Sequence, residues 1–99
     1  MAMKVERSSG NVFRDLGFNT QEAENLRLRS ELMIQIQNVI ERRRLTQAAA
    51  AKLFGVTQPR ISDLVRGRID LFSLDMLVKM LAQADIQVRM VLKRRRHVA

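Results

Sequence analysis

Apolar positions keep a helical period as far as residue 84 and then switch to a period of two. Leu26, Met33, Ile36 and Ile40, joined by Leu32 and Val39, predict a helix within residues 19–44. Its firm part is 32–43. The part up to Arg29 is more polar, and the pattern fits one long helix or two broken near Ser30. Asn19, with Glu22 three residues on, makes a capping box. Residues 47–54, QAAAAKLF, are rich in alanine, the best helix former, and Thr46 supplies a capping oxygen. Gly55 marks a bend. Thr57 caps the next helix, Pro59 falls in its first turn, and the helix runs to about Arg66 before Gly67 ends it. Ser73 caps a further helix over 74–84, with Leu74, Leu77, Val78 and Leu81 as its stripe and Met76 and Met80 at the border. Ile86, Val88, Met90 and Leu92 then alternate with Gln87, Arg89, Val91 and Lys93, which predicts a strand with one apolar face.

Two of these helices are joined tightly. Ala51 stands four residues before Gly55, and a small side chain there lets the helices cross closely. Val56 follows the glycine, Ile61 and Leu64 share one face of the second helix, and Leu53 and Phe54 close the first against it. The opposite face of the second helix is Pro59, Ser62, Asp63 and Arg66, flanked by Gln58 and Arg60. This is the spacing of a DNA-binding helix-turn-helix with a polar face free to read base edges.

Charge points the same way. The chain has 99 residues, 18 basic and 10 acidic, for a net charge of +8. The first 45 residues hold 8 basic and 6 acidic side chains, and the remainder 10 and 4. The excess therefore sits on the half with the helix-turn-helix, where a polyanionic partner would meet it. Aromatics are 4 % with no Trp or Tyr, so the core is aliphatic and alanine-rich, which favours helices. There is no cysteine, and the single His97 lies in the basic tail, just after the run 93–96; neither a thiolate zinc site nor any other metal site is expected. The sequence gives no membrane span and no signal-peptide core, so a cytoplasmic protein is expected. Enzyme chemistry finds no footing: there is no Cys, no His pair and no phosphate-binding glycine loop, and the carboxylates are scattered at charge-pairing spacing. No catalytic residue and no cofactor is expected.

The expected organisation is an N-terminal arm at 1–18, a helical DNA-binding domain at 19–85 with the helix-turn-helix at 46–67, and a C-terminal strand and basic tail at 86–99. Residues 1–10 lack periodicity and are expected to be mobile. Phe13, Leu16 and Phe18 in NVFRDLGF either clip back onto the domain or form an exposed docking motif. Ile69, Leu71 and Phe72 are expected to turn inward. The strand poses a question of its own, because a lone strand leaves its backbone unsatisfied. The N-terminal arm or a second copy of the chain must pair with it, and pairing between two copies through Ile86, Val88, Met90 and Leu92 is the expectation.

The residues from Thr46 to Leu81 resemble the Cro/CI-like, or XRE, class. The match is carried by LTQ at Leu45–Gln47, Ala51, Gly55 with Val56, Thr57 with Gln58, Ile61 with Ser62, Arg66 with Gly67, and the later LDMLVKML. The resemblance implies an all-α bundle, here with a short C-terminal strand, that binds operator DNA as a dimeric regulator. VFRDLGF, RGRIDLF and the strand add a resemblance to HigA-type antitoxins, which implies autoregulation and a RelE-like toxin as a possible partner. A protein-binding role would use Phe13, Leu16, Phe18 and the polar stretch from Gln21 to Arg29.

On this reading Gln47, opening the first helix, clamps a phosphate, and Gln58 bonds an adenine edge, as the matching glutamines do in Cro/CI-like proteins. Arg60 reads guanine or holds a phosphate. Thr57 and Ser62 are short donors suited to either role, Pro59 lies on the same face, and Asp63 accepts from a cytosine or braces an arginine. Arg66 and Arg68 run beside the DNA backbone. Arg42, Arg43 and Arg44 are placed first as cations at a helix C-terminus and second as neighbours of phosphate.

Overall fold

The computed structural model describes residues 2–5 and 12–94. In order it contains β1 (Ala2–Val5), α1 (Val12–Asp15), α2 (Thr20–Arg42), α3 (Gln47–Phe54), α4 (Gln58–Val65), a 3-10 turn at Ile69–Leu71, α5 (Leu74–Gln83) and β2 (Gln87–Met90). The mobility expected of residues 1–10 falls, apart from β1, outside the described residues. So do Arg95, Arg96 and His97 of the basic tail.

α2 is one unbroken helix. Ser30 does not end it: Arg27 donates to Glu24 at 3.1 Å and to Glu31 at 2.7 Å, and the second of these pairs spans the serine along one face. The Asn19 side chain accepts from the Glu22 amide at 2.8 Å and fixes the start. The same i to i+3 device starts each later α-helix: Thr46 caps Ala49, Thr57 caps Arg60, and Ser73 caps Met76.

The core gathers Leu32, Met33, Ile36 and Val39 of α2 with Ala50, Ala51 and Phe54 of α3. Ile61 and Leu64 of α4 and Leu77, Met80 and Leu81 of α5 complete it, with Phe72 and Ile86. Two sequence expectations change here. Met80 is buried and Val78 is 44 % exposed, because the buried face of α5 is centred on Leu77, Leu81 and Ala84, and Val78 lies a quarter-turn outside it. Of Ile69, Leu71 and Phe72, only Phe72 is fully buried. Ile69 is half-buried, and Leu71 points outward from the 3-10 turn.

The strand finds its partner within the chain. β1 pairs with β2 in parallel, Ala2 opposite Gln87 through Val5 opposite Met90. A parallel pair needs a long crossover, and here the whole helical domain serves as one. Of the two partners the sequence allowed, the N-terminal arm and a second copy, residues 2–5 of the arm pair with β2 along this edge. The four residues named for a dimer contact also divide. Ile86 is 2 % exposed and belongs to the core, since the chain leaves α5 through left-handed Asp85 (φ 61°) and the Ile86 amide donates to the Leu81 carbonyl at 2.9 Å. Val88 is half-buried against the core, Met90 is exposed, and Leu92 lies beyond the strand and is 90 % exposed.

Candidate nucleic-acid interface

α3 and α4 meet at Gly55, which ends α3 in the left-handed conformation at φ 68°. The Val56 amide donates to the Ala51 carbonyl at 3.0 Å and closes the turn. A Cβ at Gly55 would stand 2.9 Å from Cγ of Gln83, so α5 passes close to the turn. Ala50, Ala51 and Phe54 on α3 and Ile61 and Leu64 on α4 are buried. Small alanines let the two backbones approach, and the larger side chains fill the angle between them.

Burying Ile61 and Leu64 turns the rest of α4 outward. Gln58, Pro59 and Val65 are exposed, and Ser62 and Asp63 are half-buried at the edges of that face. Gln58, Ser62 and Val65 stand at i, i+4 and i+7 and so form one stripe. Val65 is an apolar member of it that the sequence reading passed over. Gln47 is exposed in the first turn of α3. Thr57 is exposed too, and its hydroxyl is taken by the Arg60 amide. Arg66 and Arg68 are exposed on either side of Gly67, their amides donating to the carbonyls of Ser62 and Asp63 at 3.0 and 3.1 Å. The arrangement brings two cations to the C-terminal end of α4 and an amide side chain to its N-terminal end.

Arg60 is held differently from its neighbours. Its guanidinium donates to the Leu71 carbonyl at 3.2 Å and lies over the Phe72 ring, 5.5 Å from the centroid. It braces the segment after α4. Two side chains of α2 do the same from the other side. Gln37 donates from Nε2 to the Leu64 carbonyl at 2.8 Å, and Arg29 donates to the carbonyls of Ile69 and Phe72 at 3.1 and 3.2 Å. The stretch that carries Arg66 and Arg68 is therefore tied to α2 at both ends. Sequence reasoning missed Gln37 and placed Arg29 on a polar contact surface. The available signal was that both stand among core positions of the helix.

The polar stretch before Arg29 is also less open than expected. Arg27 is 8 % exposed. Burial alone would lower its pKa, but the bonds and charges of Glu24 and Glu31 outweigh that and raise it. On the arm, Phe13 is half-buried and meets Phe18 edge to face, ring centroids 6.3 Å apart. Val12, Leu16 and Phe18 remain exposed. Phe18 also borders a shallow groove of about 390 Å³ with Gln21, Glu22, Asn25, Leu26 and Arg29. The arm packs on α2 yet leaves these apolar side chains outside.

Among the described residues, no group of three or more His, Asp or Glu side chains could hold a metal ion, and no helix is long and apolar enough to cross a membrane.

Comparison with known proteins agrees with this geometry. Residues 12–93 match the family model of a helix-turn-helix domain. One solved structure, of a protein assigned to the XRE family of transcriptional regulators, is 33 % identical with a TM-score of 0.70. The match covers 79 % of this chain and 91 % of that one. No curated protein matches. The fold and the site define a helix-turn-helix protein, and the chain belongs to the XRE family of DNA-binding transcriptional regulators.

Proposed function

We propose that the chain binds double-stranded operator DNA sequence-specifically, as a dimeric cytoplasmic repressor, by laying α4 in the major groove. The observation that carries the reading is the division of α4: Ile61 and Leu64 are wholly buried, and Gln58, Pro59, Ser62, Asp63 and Val65 are turned away from the core. Gln58 bonds an adenine edge, because a side-chain amide can donate and accept at N7 and N6 together. Ser62 and Asp63 take neighbouring positions, and the Val65 methyls suit a thymine methyl. Gln47, Thr57, Arg66 and Arg68 contact phosphate and set the register. Arg60, occupied by Leu71 and Phe72, supports the site from behind. The function domain runs from 19 to 85, with the arm and the paired ends of the chain outside it.

A second reading has a specific observation behind it. Val12, Leu16 and Phe18 are exposed together beside the start of α2. This favours a protein-binding role of the kind a HigA-type antitoxin has toward a RelE-like toxin, with DNA binding as autoregulation. Fluorescence anisotropy with a duplex from the promoter upstream of the chain's own gene, against a scrambled duplex, tests the sequence-specific DNA binding that the first reading requires. Selective binding that persists at physiological salt supports the regulator. Equal, salt-sensitive binding to both duplexes contradicts it.

A further inference from the structure

α2 ends in a closed cap. Arg43 is its C-cap residue, the Arg44 amide donates to the Glu41 carbonyl at 3.1 Å, and the Leu45 amide donates to the Ile40 carbonyl at 3.0 Å. This pair of bonds forms the motif in which the residue after the helix turns left-handed, a place usually held by glycine. Here it is held by Arg44, at φ 51°. The ends of α3 and α4 use Gly55 and Gly67 for the same turn. A side chain in this conformation costs energy that glycine would not, so the cap itself has no need of the arginine.

The side chain has no use inside the fold either. Arg44 is exposed and makes no ion pair or side-chain hydrogen bond among the described residues. Its backbone, by contrast, is fixed: Leu45, next in the chain, packs against the core together with Ile40. Arg44 stands three residues before Gln47, so the two Cα atoms lie within about 11 Å of each other. That places, on a fixed backbone next to the N-terminus of α3, a guanidinium with no partner among the described residues.

We propose that Arg44 is a phosphate-contact residue, gripping the duplex backbone beside the phosphate that Gln47 takes. The proposal rests on the DNA-binding reading and extends its footprint from α4 to the end of α2. Each phosphate neutralised releases counterion and steepens the dependence of log K on log salt by about 0.9.

The test uses the full chain and the same two duplexes across a salt series, with the melting temperature of each variant as a second readout. Arg44→Gly should melt at the wild-type temperature or above. Its salt slope should be shallower by about 0.9, so that wild type loses about threefold more affinity than the variant between 50 and 200 mM salt. Arg44→Asn, neutral and tolerant of the left-handed turn, should show the same shallower slope, and Arg44→Lys should keep the wild-type slope. Arg14→Gln, which removes an exposed charge on α1, should also keep it. An unchanged slope in Arg44→Gly, with wild type binding normally, overturns the proposal and leaves the regulator reading intact. An equal loss in Arg14→Gln overturns it as well, because the effect would then be net charge. Wild type with no salt-dependent binding to either duplex overturns both.

Discussion

α3–α4 and the turn of helix α1 both carry closely spaced apolar residues, and the two regions use them in opposite ways. In the helix-turn-helix, Ala50, Ala51, Phe54, Ile61 and Leu64 go inside, and the polar side chains left outside stand on a backbone fixed by caps and by the left-handed Gly55. In the arm, four residues of helix can bury little, and Val12, Leu16 and Phe18 stay in contact with solvent. Burial on several sides makes a backbone rigid enough to present side chains with fixed spacing. A single short turn lying on one helix cannot do this, and its exposed apolar groups suit a partner that adapts to them.

That contrast can be broken most sharply in the core. Phe54→Ala removes a fully buried ring and should cost about 3–5 kcal/mol, whereas Leu16→Ala, at a position 69 % exposed, should cost less than about 0.5 kcal/mol. For a domain of this size, each kcal/mol shifts the melting point by roughly 4–8 °C, so thermal melts distinguish the two at once. Similar losses in the two variants would mean that the arm is a core element. The turn comes next. Gly55→Ala keeps a left-handed backbone that alanine disfavours and crowds the Gln83 side chain, which should cost about 1–2 kcal/mol. A urea melt with the wild-type midpoint would show that the turn is not under this constraint. Smallest in stability are Arg66→Gln and Arg68→Gln. Both side chains are exposed, and neither change should alter the melt measurably. Each should make the salt slope of DNA binding shallower by about 0.9 and weaken all sequences alike. A shift in base preference instead would move these arginines from the phosphates to the bases.

How legible each part was follows from the range of the interaction that fixes it. Asn19, Thr46, Thr57 and Ser73 were readable as caps because each bond joins a side chain to an amide three residues on. The α3–α4 turn was readable because its glycine and small residues stand at fixed offsets. The pairing of β1 with β2 was not, since Ala2 and Gln87 are brought together only by the whole helical domain between them. Val78 and Met80 exchanged places for a related reason: the stripe of α5 is wide enough in sequence to rotate, and α2 and α3 choose its centre. On the site, the outward face of α4 was legible from its polar residues. Arg60 was not, because the Leu71 carbonyl and Phe72 ring that hold it lie eleven and twelve residues away. Gln37 was hidden likewise, its acceptor being the Leu64 carbonyl on another helix.

The central claim is that α4 reads base edges, and Gln58 tests it most directly. Wild type and Gln58→Ala would each be used to select preferred duplexes from a pool of random sequence, and the selected sequences compared. The account predicts that the variant loses preference for adenine at one position of each half-site, worth about 1–3 kcal/mol, and keeps the rest of its pattern. The same preferences in both proteins would contradict it and take Gln58 out of the reading face.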